Sequence, residues 1–324
     1  MLALEALMAS TGPEGVGYEL KSVMESILRD WASEDFEGAW AAALDQSHPG
    51  LKRFMLSTLL DTQFANDPEK TFSLYLEQAA KDPAFPWNVP LKTMGLRAGE
   101  GADAYIEAFS KLPWGTFNVG TTMKFSADFD FRKVADAVST LGKASPDQIT
   151  PVFASNFFET WAARNAEEAQ AWWKQNGSVM LDNWGGILTG VEKSMGPQAA
   201  AEWAAHELQS NPEKRKEMLE GIVPSHEGGA AHRINLIADS MPDVATRDAF
   251  LSDFFATTRH SDPLDRFSFV ISGMSSPEAR LDALRNFRET AGYIIDTNVA
   301  DTQLQEWGIS REQLSETLRP KKAQ

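Results

Sequence analysis

Residues Glu159 to Gly177 read ETWAARNAEEAQAWWKQNG, with Trp161, Trp172 and Trp173 inside thirteen positions. Such a stretch is either a binding surface or part of a core, and its spacing helps to separate the two. Trp161-Ala162 is followed by Ala169, eight residues after the tryptophan, with Glu167 two before that alanine. Trp31-Ala32 is followed by Ala39 at the same distance, with Glu37 two before it. A large apolar residue with a small residue eight later recurs at Leu96/Ala104, Val191/Ala199, Ile237/Ala245 and Ile271/Ala279. Phe64-Ala65-Asn66-Asp67-Pro68 opens another copy, with Phe72 where an alanine is expected. A further copy falls near Phe125 to Ala137 without a defined register.

The steps between these anchors lie in the low thirties, apart from one of 46 residues between Val191 and Ile237. A period of this length with two helical segments per period marks stacked helical hairpins. One hairpin cannot bury its apolar stripe alone, so neighbours share a core. Valine-, isoleucine- and threonine-rich alternating runs are scarce, and apolar positions recur at three and four. The expected fold is all-α: a right-handed α-solenoid of about eight antiparallel helical hairpins with a period of about 30–34 residues. The small residue marks the closest crossing of the two helices of a hairpin, where a larger side chain overpacks by roughly 1–3 kcal/mol. The breaks between helices hold Ser33-Glu34-Asp35, Asn66-Asp67-Pro68, Arg164-Asn165, Gly196-Pro197, Pro242-Asp243 and Ser275-Ser276-Pro277. These are N-cap and first-turn residues for the second helix of each pair.

The expected organisation is a single helical-repeat domain over residues 1–324 with a soft break near 209–229. The long step carries extra material there, read as a helix over Glu213 to Gly221 and a loop over Pro224 to Gly229. Residues 290–324 read as an atypical C-terminal cap: a short helix, a stop at Gly308 and a last helix from Ser310. The start, MLALEALMAS, has no basic region and contains Glu5, so it reads as a short helix rather than a signal peptide. The compartment is left open, cytoplasmic or extracytoplasmic after loss of a leader.

The period, the paired helices and the small residue in the second helix resemble tetratricopeptide-like (TPR-like) solenoids over about residues 20 to 290. The family's Gly-then-Tyr pattern in the first helix does not recur. The pattern, with Leu112-Pro113-Trp114-Gly115 opening one unit, is also similar to uncharacterised bacterial helical-repeat proteins. The TPR-like resemblance implies a scaffold that binds peptides or partner proteins. The family's peptide-clamping Asn and Lys positions have no clear counterparts here, and none is assigned.

Composition narrows the partners. The net charge of −16 repels phosphate backbones and anionic headgroups, which argues against nucleic acid and membrane surfaces. No apolar run has the length of a membrane span, so no membrane insertion is expected. With no cysteine, thiolate nucleophiles, disulfides and Cys-type metal sites are excluded.

The motifs that suggest chemistry are weak. His226 and His232 are six apart with two glycines between, whereas a helical zinc pair needs i and i+4. Glu202 and His206 have that spacing but suit a solvated helix face. Gly99-Glu100-Gly101-Ala102-Asp103-Ala104 lacks the preceding strand of a nucleotide fingerprint and reads as a break between helices. Asp128 and Asp130 stand where a helix begins, so capping explains them. No catalytic residue, metal ligand or cofactor is assigned.

The tryptophans remain. Trp172 and Trp173 sit about 60° and 40° to either side of Ala169 on a helix, which makes the pair a wedge between hairpins. Trp87, Trp114 and Trp184 stand in apparent turns just before first helices: Pro86-Trp87-Asn88, Pro113-Trp114-Gly115 and Asn183-Trp184-Gly185-Gly186. Either they form an aromatic row that binds an extended peptide or a sugar, or each tucks under the next hairpin as a staple. Trp87, Trp114, Asn183 and Trp184 are therefore the candidate ligand-binding residues. The leading expectation is a non-enzymatic interaction scaffold for a peptide or protein partner. The alternatives are a helical-toroid or solenoid enzyme or binding protein acting on a polysaccharide or peptidoglycan, and a self-assembling structural protein.

Overall fold

The breaks marked by the sequence start helices, most of them through a side-chain cap; Gly196, at φ 86°, opens its helix without one. Asp35 accepts from the Gly38 amide at 2.9 Å and Asp67 from the Lys70 amide at 3.0 Å, the latter with Pro68 in the first turn. Asn165 accepts from Glu168 at 3.2 Å, Asp243 from Thr246 at 2.8 Å, and Ser276 from Ala279 at 3.1 Å. Each bond satisfies an amide that has no partner inside its own helix, which is worth about 1 kcal/mol relative to alanine.

The computed structural model describes residues 18–82, 85, 88–112, 122–144, 156–176, 183–222, 230–257, 264, 267–291 and 299–319. All regular structure among them is helical. The chain divides into two compact units, Met1–Ala154 and Ser155–Gln324. The boundary falls well before the stretch 209–229, which lies inside the second unit.

The first unit holds α1 (Tyr18–Glu34), α2 (Phe36–Leu44), α3 (Pro49–Gln63), α4 (Pro68–Ala79), α5 (Asn88–Glu100), α6 (Ala102–Lys111) and α7 (Phe131–Ala144). From α1 to α7 each helix packs on the next, and α1, α3 and α5 also touch in turn. Ahead of α7, residues 122–126 form no regular structure and are held by aromatic packing. Phe125, Phe129 and Phe131 lie 4.8–5.0 Å apart, with Phe129 edge-on to Tyr105 at 5.8 Å. The Ser126 amide donates to the Ala98 carbonyl at 2.9 Å, which ties the segment to α5. Asp130 caps α7 through the Lys133 amide at 2.9 Å, in line with the structural reading of the two aspartates.

The second unit holds α8 (Phe157–Arg164), α9 (Ala166–Asn176), α10 (Asn183–Met195), α11 (Pro197–Ser210), a 3₁₀ turn (Pro212–Lys214), α12 (Arg215–Gly221), α13 (Ala230–Asp239), α14 (Val244–Thr257), α15 (Ser268–Ser272), α16 (Pro277–Ala291), α17 (Asp301–Trp307) and α18 (Arg311–Leu318). The 3₁₀ turn and α12 are the extra helix of the long step. The short helix, the stop and the last helix expected near the C-terminus are present. Gly308 ends α17 in the left-handed region at φ 65°, and Ser310 with Gln313 forms a capping box on α18.

The opening stretch is core. Ala169 is fully buried, and Trp161, Trp172 and Trp173 are buried around it. Trp172 faces back to α8, with Phe158 at 5.7 Å and Trp161 at 6.1 Å. Trp173 faces forward to Trp184 of α10 at 5.4 Å. The adjacent rings therefore wedge apart two successive helix pairs, as their angular positions predict. Each ring buries about 150–250 Å², worth several kcal/mol at about 25 cal/mol/Å².

The rule of a small residue eight after a large one holds only in part. Ala39 and Ala169 are fully buried, whereas Ala104, Ala199 and Ala279 are half-buried and Ala245 is exposed. Leu96 and Val191 stand one residue too early relative to the helix end, and four-residue breaks displace the last two copies. Counting from the helix start recovers the pattern. The fourth residue of α2, α4, α6, α7, α9 and α11 is Ala39, Thr71, Tyr105, Val134, Ala169 and Ala200, and all six are buried. In α14 and α16 the fourth residue is Arg247 and Arg280. Arg280 donates to the carbonyls of Ile271 (3.2 Å), Met274 (2.8 Å) and Trp307 (2.6 Å), binding together the ends of α15 and α17.

The closest helix crossing was missed in the sequence reading. Gly186 and Gly190 sit four apart on α10 and face α8. A Cβ on Gly190 would stand 2.8 Å from the Ala162 methyl and from the Ala163 amide nitrogen, and nearer still to the Glu159 carbonyl oxygen. The two backbones are thus in contact, which only glycine permits.

Candidate functional site

The proposed aromatic row does not present itself as a surface at the one ring whose surroundings are described. Trp184 lies in the first turn of α10 rather than in a turn before it, and is buried. It stacks on half-buried Trp203 at 4.9 Å and 18°. Its indole N–H is buried without an acceptor. Asn183 opens α10, and its side chain is outside the described residues, as are Trp87 and Trp114.

Beside this cluster lies a buried acid. Glu207 of α11 is 7 % exposed and pairs with Lys174 of α9 at 2.9 Å, while Asn211 donates to it at 2.8 Å. Burial pushes its carboxyl up, but hydrogen bonds from Gln170, Lys174 and Asn211 outweigh that and hold it below the usual carboxylate range. Lys214 stands over the Trp173 ring at 5.7 Å. This network links α9 with α11 and the 3₁₀ turn, although the Gln170 amide nitrogen is buried without a geometric hydrogen-bond partner.

Among the described residues an open concavity lies on α1 and α3 of the first unit. A cleft of about 330 Å³ runs between α1 and α3. Lys21 and Glu25 line it from α1, and Gly50, Arg53, Phe54, Ser57 and Thr58 from α3. These α3 residues recur at three and four, so one helix face supplies them. The Lys21 ammonium stands 6.0 Å from the centre of the Phe54 ring. Arg53 is held by Asp82 at 2.9 Å, and Glu25 by Arg29 at 3.2 Å. The polar surface continues toward α5. Ser57 donates to Asn88 at 3.4 Å, Asn88 donates to Asp61 at 3.2 Å, and Lys92 pairs with Asp61. The cleft thus offers an apolar floor at Phe54, charges of both signs and two hydroxyls. Such a surface can bind a chain by several weak contacts. It has no pair of carboxylates placed for acid–base work, since Glu25 is its one acidic lining residue. The sequence reading assigned no role to these residues because polar and charged residues on a helix face are ordinary for a solvated surface. The available signal was the set of polar positions at three- and four-residue spacing between core leucines.

Ion pairs recur at similar sequence separations. Glu37 of α2 pairs with Lys70 of α4 at 2.6 Å and Asp103 of α6 with Lys133 of α7 at 2.6 Å, each acid being the second residue of its helix and each base the third. Glu69–Arg97, Asp61–Lys92 and Glu159–Lys193 make similar steps. The hydrogen bond that Lys133 donates to Asp103 raises its ammonium pKa above the ordinary value. Among the described residues no three His, Asp or Glu side chains gather as a metal site would need, and no helix is long and apolar enough to cross a membrane. Comparison with protein-family models, curated proteins and solved structures found no match.

Proposed function

We propose that each unit is a short run of stacked, TPR-like helical hairpins and that the protein is a non-enzymatic interaction scaffold. Chain-sequential packing supports the first part, because helices touch their neighbours and next neighbours in turn. The recurrent ion pairs support it as well, since they link residues 28 to 34 apart. The α1–α3 cleft carries the functional reading. It is built on first helices, open, and lined by an aromatic ring flanked by charges, which suits a peptide or an extended protein segment. Trp87, which directly precedes Asn88 in the sequence, and Trp114 belong to the same proposal as further contact residues. Trp184 is left out because its ring is part of the core.

The test is affinity capture from the source organism's lysate with wild type and a Lys21→Glu/Phe54→Ser variant, read by quantitative mass spectrometry. A partner depleted at least about tenfold by the variant, equivalent to about 1.4 kcal/mol, fits the reading. Identical capture by a folded variant would end it.

A further inference from the structure

We propose a second docking surface, the outward face of α1, whose occupant is a cationic amphipathic helix of a partner protein. The helix contains three apolar doublets four residues apart: Val23-Met24, Ile27-Leu28 and Trp31-Ala32. The second member of each is buried, at 2, 2 and 8 % exposure. The first members turn away. Val23 is 54 % and Ile27 53 % exposed, and Trp31 is half-buried. Adjacent residues stand about 100° apart on a helix, so α1 has two apolar faces. It packs one against α2 and α3, and among the described residues the other is exposed. The other exposed large apolar residues, Leu96, Met195 and Val244, stand singly on three different helices, as is ordinary for a protein surface. Val23 and Ile27 share one face.

Charge identifies the occupant. Asp30 and Glu34 follow Ile27 by three and seven residues, which puts them on the same face, and both are exposed. They occupy the last turn of α1, where the carbonyl ends already carry partial negative charge. No basic residue stands in that turn, and neither acid has a cationic partner among the described residues. The nearest candidate, Arg29, is engaged by Glu25 at 3.2 Å. Two acids at the unfavourable end of a helix and two exposed aliphatic side chains are each locally costly. A single partner relieves both: a helix with apolar residues at i, i+3/4 and i+7 and Lys or Arg at the end that meets Asp30 and Glu34. A second copy of the chain does not supply that charge, since each copy carries −16. Lys21 and Glu25 precede Val23 and Ile27 by two residues and so point away from this face. The surface therefore stands or falls separately from the cleft.

The probe is a fluorescein-labelled Leu/Lys peptide of about 18 residues in an amphipathic helical pattern, beside its Leu/Glu counterpart. Binding to the full chain is read by anisotropy at about 150 mM salt. The Lys peptide is expected to bind and the Glu peptide not. Val23→Ser/Ile27→Ser weakens binding about tenfold or more, and Asp30→Asn/Glu34→Gln weakens it and flattens the salt dependence. Met195→Ser and Glu312→Gln/Glu316→Gln, exposed positions elsewhere, leave it unchanged. All substituted side chains are exposed, and circular dichroism verifies the fold of each variant. Three results overturn the proposal. One is affinity unaffected by the Val23/Ile27 pair or equally reduced by the controls. The second is a concentration-dependent dimer that Ile27→Ser abolishes, which assigns the face to a second copy. The third is binding that emerges only when residues 1–16 are deleted, which assigns it to the chain's own segment.

Discussion

Replacing Gly190 by alanine is the sharpest probe of the α8–α10 crossing. On an open helix face this change stabilises by up to about 1 kcal/mol, because alanine loses less backbone entropy on folding. Here the new methyl meets the Ala162 methyl and the Ala163 nitrogen at 2.8 Å and the Glu159 carbonyl oxygen more closely still. Ordinary contact begins near 3.4 Å, and two of the three obstacles are backbone, which has no rotamer to yield. The helices must separate by several tenths of an ångström along their length. That loosens the packing of Phe158, Trp161 and Ile187, all buried beside the crossing. Overpacking costs about 1–3 kcal/mol, and its upper range applies to a backbone clash. Net of the helix gain, Gly190→Ala should destabilise the second unit by about 2 kcal/mol, or roughly 4–8 °C in Tm for a unit of this size. Gly95→Ala is the matched control. Gly95 lies inside α5, and a Cβ there meets nothing within 4 Å, so the same change should stabilise by about 0.5–1 kcal/mol. Urea unfolding followed by tryptophan fluorescence and circular dichroism measures both. If Gly190→Ala proves as stable as wild type, or moves the midpoint in the direction of Gly95→Ala, the close-contact account is refuted.

Other consequences follow from particular partners. Glu207 has a lowered pKa in the folded state, so its contribution is fully present above the unfolded value of about 4.3 and is lost as pH falls through the folded value. Wild type should therefore lose more stability than Glu207→Gln between about pH 5 and pH 3; parallel pH–stability curves would contradict this. Arg280→Ala should cost about 2–4 kcal/mol, since three carbonyls lose a charged donor, and Arg280→Lys should restore only part of it; chemical denaturation reads both. Lys70→Met should cost under about 1 kcal/mol, because the Glu37 pair is exposed; a larger shift in urea midpoint would mean that these recurrent pairs do more than set register.

Much of the fold is local chemistry and was legible as such. Asp35, Asp67, Asn165, Asp243 and Ser276 cap helices because their short oxygens reach amides three residues on, which is a property of the chain alone. Gly308 ends α17 and the Ser310/Gln313 box starts α18 for equally local reasons. The Trp172-Trp173 wedge follows from helix angles around Ala169. The register of close contacts was less legible. It depends on where each helix starts relative to its partner, so anchors chosen by residue type slipped by one at Leu96 and Val191. Ahead of α7, where the register of the repeat could not be read, aromatic packing among Phe125, Phe129 and Phe131 holds a non-helical segment.

The amino-acid sequence by itself determined the helical class, the breaks and the caps, because hydrogen bonding and periodicity act within a few residues. Only the tertiary structure decided which faces are covered. Val23 and Met24 are chemically alike neighbours, yet one meets solvent and the other the core, because α2 and α3 cover only one side of α1. Trp184 reads as a turn tryptophan until Trp173 and Trp203 close over it. The α1–α3 cleft and the Gly190 crossing arise from distances between helices far apart in the chain, and those distances are set by packing rather than by any local pattern.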